Sequence, residues 1–128
     1  MDARTEKIVN SFQSSWLETL AWYNEHIDNY PAWERYIPVK KLIEDFIKNG
    51  EDRFFYAKTS HSTLLVSRSV DGGLREDQKF VSIDVINPGV FEIKLREPLK
   101  TYREFRIGSL DDPRLLKVLK TLKETLVD

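Results

Sequence analysis

The chain has 128 residues, 41% apolar and 32% charged, with a net charge of −1 and no cysteine. Such totals fit one folded domain with its own core rather than a disordered chain. They exclude disulfides, Cys-ligated zinc and a thiol nucleophile, and they leave no overall field to draw the chain to nucleic acid or an anionic membrane. Charge is mildly uneven. Residues 1–51 carry six Lys/Arg against nine Asp/Glu, residues 52–107 ten against eight, and the remainder four against four. No apolar signal core follows Met1-Asp2-Ala3-Arg4, and no run reaches the ~18 apolar residues of a membrane span, so the sequence reads as cytoplasmic and not membrane-bound.

From about Ala3 to Asn29 the apolar positions Val9, Phe12, Trp16, Leu20, Tyr23, Ile27 and Tyr30 recur at steps of three and four, one face of an α-helix. At ~1.5 Å per residue such a helix is longer than a five-stranded sheet is wide, so it must cross diagonally, bend or project. Trp22 lies off the stripe, which makes it a candidate contact residue unless the segment Tyr30–Tyr36 folds back over it. All three tryptophans and three of the five tyrosines fall between Trp16 and Tyr36. That density predicts either a packed aromatic corner or a cage, with Trp16, Tyr23 and Trp33 as the lining of a small-molecule pocket.

Pro31 ends the first helix. Pro38 suits the first turn of a second, with Val39, Leu42, Ile43, Phe46 and Ile47 inward and Asn49-Gly50 closing it. Five strands follow: Arg53–Thr59, Ser62–Ser69, the two arms of a hairpin over Lys79–Arg96, and Thr101–Ile107. The hairpin carries the strongest signal. Val81, Ile83 and Val85 alternate on one arm and Phe91, Ile93 and Leu95 on the other, about Asn87-Pro88-Gly89. Asp111 or Asp112 caps a last helix with Pro113 in its first turn and Leu115, Val118, Leu119, Leu122 and Leu126 inward. Short connections imply antiparallel neighbours. The fold class is therefore α+β: a five-stranded antiparallel meander sheet with two N-terminal helices and one C-terminal helix packed on one face, forming a single domain over 1–128.

The other sheet face is left to solvent, with Phe80, Ser82, Asp84, Glu92, Lys94, Arg96, Tyr102, Glu104 and Arg106 pointing outward. Centring the turn on Pro88 places Asp84 opposite Glu92, with Lys94 next along the strand. Asp84, Glu92 and Lys94 resemble the metal-dependent nuclease pattern, in which two carboxylates hold a divalent ion and a lysine positions the attacking water. The resemblance covers three residues, and a strand follows where that family usually has a helix. It implies phosphodiester hydrolysis, whereas a diagonal Asp84–Lys94 ion pair is the ordinary reading. His26 has no second histidine at ligand spacing, His61 sits in a turn, and both read as solvent-exposed. No phosphate-cradling glycine motif or nucleic-acid signature is present, so nucleic-acid binding has no support from a motif.

With catalytic constellations eliminated, the expectation is a small non-enzymatic protein-interaction module, an accessory, inhibitor or immunity-type protein. It needs no cofactor and no metal, and it binds a protein partner through its open sheet face. Arg96, Tyr102 and Arg106 are the expected anchors, and Trp22 and Trp33 form a second patch. The alternative is a nuclease or phosphodiesterase with Asp84, Glu92 and Lys94 as catalytic residues.

Overall fold

The computed structural model describes residues 2–128. Helix α1 (Ala3–Asn29) is followed by a 3-10 segment (Pro31–Tyr36), α2 (Ile37–Lys48) and a second 3-10 turn (Glu51–Arg53). Strands β1 (Tyr56–Ser60), β2 (Thr63–Ser67), β3 (Phe80–Asn87), β4 (Val90–Glu97) and β5 (Lys100–Ile107) precede α3 (Pro113–Lys123). The strands form one antiparallel sheet in sequential order, the expected α+β meander. No described helix is long and apolar enough to cross a membrane.

Helices α1 and α3 begin where the sequence supplies a side-chain cap, whereas α2 starts without one, with Pro38 in its first turn. Asp2 accepts the Thr5 N–H at 2.8 Å ahead of α1, and Asp112 accepts the Arg114 N–H at 2.9 Å ahead of α3. Gly50 ends α2 in the left-handed conformation (φ 77°) that a side chain would resist. The core lies between the helices and one sheet face. Trp16, Tyr23, Val39, Ile43, Leu115, Val118 and Leu122 pack against Leu64, Val66, Val81, Ile83, Phe91, Ile93 and Leu95. Full burial along α1 is confined to Phe12–Tyr23, while Asp2–Lys7 is exposed.

Several expectations are corrected. The first strand starts at Tyr56 rather than Arg53, because Arg53 and Phe54 donate their N–H groups to Gly50 and Glu51 in a helical turn. The second stops at Ser67, whose hydroxyl accepts the Ser69 N–H and draws the chain out of the ladder. Helix α3 ends at Lys123, which leaves Leu126 81% exposed instead of inward. Tyr30, at the end of the α1 stripe, is also exposed.

The aromatic corner is filled. Trp16 and Tyr23 are 0% exposed, and their polar atoms donate to the carbonyls of Phe55 (2.9 Å) and Ser62 (3.0 Å). Burial holds the Tyr23 phenol well above its ordinary range, aided by Tyr36 and Asp84. Trp33 comes back over Trp22 edge-on at 5.3 Å and stacks with Tyr36 at 4.5 Å. His26 is half-buried, not solvent-exposed: its ring lies 4.2 Å from Trp22 and 4.6 Å from Trp33.

Candidate functional site

The outer sheet face divides in two. Over β1 and β2 it is occupied by the loop between β2 and β3, which is tied down by Lys58 Nζ donating to the Gly72 carbonyl (2.9 Å) and Ser11 to that of Val70 (3.2 Å). Gly72 has φ 86°, and a Cβ there would meet the Tyr56 ring at 2.5 Å; only glycine lets the loop lie this close. Leu74 of this loop lines a concavity of about 470 Å³ with Leu65, Phe80, Ser82 and Arg96. Phe80 and Ser82 are accordingly 6% and 7% exposed, a correction to their expected outward exposure. Phe80 lies beneath the Arg96 guanidinium, 5.6 Å from ring centre to Cζ.

Over β4 and β5 the face is open. Asp84 stands opposite Glu92 as the hairpin alternation requires. Lys94 does not pair with Asp84. It lies 3.5 Å from Glu92 and 3.8 Å from Glu104, while the other Glu92 oxygen is 3.5 Å from Arg106. Glu92 thus has a cation on each oxygen. Among the described residues no three His, Asp or Glu side chains converge in the manner of a metal site.

Pairing of β4 with β5 shifts by one residue at Leu95/Arg96: Leu95 faces Arg103, yet Arg96 faces Thr101. Tyr102 is the extra residue of a bulge. Its hydroxyl donates to Glu97, and its ring lies 5.2 Å from Lys79 Nζ and 4.8 Å from Lys100 Nζ. The bond to Glu97 raises the phenol above its ordinary range. Alternation along β4 points Glu97 away from the side of Arg96. Tyr102 is therefore grouped with Glu97, Lys79 and Lys100, not with Arg96 and Arg106 on one outer face as the uninterrupted alternation suggested. The three expected anchors are brought to one border of the sheet but on two sides of it.

Arg96 is held by the carbonyls of Glu97 (3.1 Å) and Pro98 (2.7 Å). Among the described residues no carboxylate lies within 4.0 Å of a Lys79, Arg96, Lys100 or Arg103 nitrogen. Arg103 and Arg114 flank the Phe105 ring at 5.1 and 5.4 Å. Arg114, unlike Arg103, is engaged by Asp112 at 3.1 Å, and that guanidinium holds the Asp112 carboxyl below its usual range.

Sequence reasoning missed Lys79, Lys100 and Arg103 as members of this border. The signal for Lys100 and Arg103 was present in the density of cations along KTYREFRI; Lys79 joins only through the bulge. A larger concavity of about 620 Å³ lies between α2 and α3, lined by Leu42, Phe46, Leu110, Leu116 and Leu119, also unforeseen. Trp22 and Trp33 are half-buried and engaged with each other. Comparison with known proteins finds no family model, no curated protein and no solved structure that matches this chain significantly.

Proposed function

We propose that the protein is a non-enzymatic interaction module, a small cytoplasmic accessory, inhibitor or immunity-type protein that holds a protein partner at the β4–β5 border of its sheet. The observation that carries this reading is the pair of cations, Lys79 beside β3 and Lys100 on β5, around an exposed Tyr102, with no carboxylate within 4.0 Å of either among the described residues. Arg and Tyr are enriched among interface anchors, where each presents a large contact area and directed donors. Arg96 is already fixed by two carbonyls, so less freedom is lost on docking. The absence of cysteine supports a reducing compartment. Trp22 and Trp33 contribute a second, weaker patch through their remaining exposed edges.

The test is capture of partners from the host lysate by the tagged protein, beside the double variant Tyr102→Ala, Arg106→Ala. A stoichiometric partner bound by the wild type and lost by a folded variant supports the border as the binding face. Retention by the variant removes it.

The direct opposition of Asp84 and Glu92 favours one second reading, a divalent-metal phosphodiesterase with Lys94 beside the attacking water. A bound ion would raise the melting temperature. An unchanged melting temperature in saturating Mn²⁺ or Mg²⁺ counts against it.

A further inference from the structure

Granting the binding-module reading, we infer that the partner supplies an acidic extended segment that adds to β5 as a sixth strand. Among the described residues strand β5 pairs only with β4, so its other side presents unpaired backbone groups. Residues Lys100 to Glu104 are all exposed. Toward the end of the strand the Arg106 carbonyl accepts from Arg114 at 3.5 Å, which leaves the first part of β5 as the free edge.

Its charge selects the occupant. Lys100, Arg103 and Arg106 against Glu104 give the strand a net +2 in a chain of net −1. Lys79 stands beside them, and the Lys79, Lys100 and Arg103 charges are uncompensated within 4.0 Å among the described residues. Cations on an edge strand ordinarily guard it against pairing. Here the guard is net positive: a second copy of this chain would set +2 against +2, whereas an acidic strand meets complementary charge. Repulsion of the wrong strand and attraction of the right one arise from the same residues. The bulge adds a geometric argument. Tyr102 and Arg106 lie on opposite sides of the border, and a strand laid along the edge sends alternate side chains to both sides, whereas a partner resting on the outer face meets only Arg106.

The experiment selects binders from a random peptide library displayed on phage, using the whole protein and, in parallel, the variant Lys100→Glu, Arg103→Glu checked for an unchanged melting curve. Enriched peptides are expected to be acidic and of alternating pattern. Their affinity should fall about tenfold or more on the charge-reversed variant, equivalent to about 1.4 kcal/mol. N-methylation along one such synthetic peptide should abolish binding at every second position only, because alternate N–H groups face the added edge.

Neutral or basic binders, no enrichment over the variant, or indifference to N-methylation would overturn the proposal. So would tight binding of oligothymidylate at the same residues, which would make the cations a nucleic-acid surface. A lysate partner that is lost with Tyr102→Ala, Arg106→Ala but binds as well to Lys100→Glu, Arg103→Glu would overturn the acidic strand while leaving the binding-module reading in place.

Discussion

The two borders of the sheet solve the same problem in opposite ways. At β1 the edge is closed by side chains of α1. Ser15 Oγ accepts the Ala57 N–H at 2.9 Å, Thr19 Oγ1 donates to the Ala57 carbonyl at 3.3 Å, and Trp16 Nε1 donates to the Phe55 carbonyl at 2.9 Å. Three residues within two helical turns thus stand in for a missing neighbour strand, and the buried backbone there is satisfied. At β5 no element of the described residues covers the first part of the edge, and solvent, charge and a bulge manage it instead. A closed border serves stability. An open one, whose Lys100 and Arg103 have no carboxylate within 4.0 Å among the described residues, is where we propose that a partner is received.

If that contrast holds, substitutions at the β1 border are costly for folding. Trp16→Ala is expected to lose about 3–5 kcal/mol, combining a large cavity with a lost donor; urea denaturation measures it. Trp16→Phe keeps most of the ring and separates the two contributions. Ser15→Ala is subtler and more telling. It removes few atoms but orphans the Ala57 N–H in a buried setting, for which about 1–3 kcal/mol is expected. A loss near zero would mean that water reaches the β1 edge and that α1 does not close it.

Much of this was legible in the chain. The hairpin register, down to Asp84 opposite Glu92, follows from strict alternation on both arms about Asn87-Pro88-Gly89, since a one-residue slip would send every apolar side chain to the wrong face. The β1 closure was not read: Ser15 and Thr19 sit four apart and so share one side of α1 beside Trp16, but that spacing does not say which backbone lies against them. The bulge at Tyr102 has no such mark: no glycine or proline interrupts KTYREFRI, and the shift arises from how β5 meets the end of β4. That single slip moved Tyr102 away from Arg106. Leu126 failed for a related reason, because the apolar periodicity continues past Lys123, where the helix ends.

A pH dependence belongs to the closed side. Asp52, in the turn ahead of β1, is buried, and burial holds its carboxyl above the usual carboxylate range despite neighbouring Arg53. A raised acid binds its proton more readily folded than unfolded. The stability it contributes is fully present below its ordinary value of 3.8 and is lost as pH rises through its folded value. Asp52→Asn should therefore exceed the wild type in stability at neutral pH, with the advantage closing on acidification through that window. Denaturation midpoints of both proteins across the range measure it, and an advantage that widened on acidification would show that the carboxylate has a stabilising partner.

The smallest stability effect is expected where the largest binding effect lies. Lys100→Glu with Arg103→Glu removes only exposed cation–π contacts with Tyr102 and Phe105, so the folding free energy should move by no more than about 1 kcal/mol. The same pair reverses the sign of the open edge, taking β5 from +2 to −2. If β5 keeps its cations to receive an acidic strand, this variant folds as the wild type does and loses the peptide. If the cations serve instead to brace the bulge, the melting temperature falls and the two borders are alike in purpose. The comparison thus reduces to one protein measured two ways, and stability and binding must part company in it for the open border to be a site.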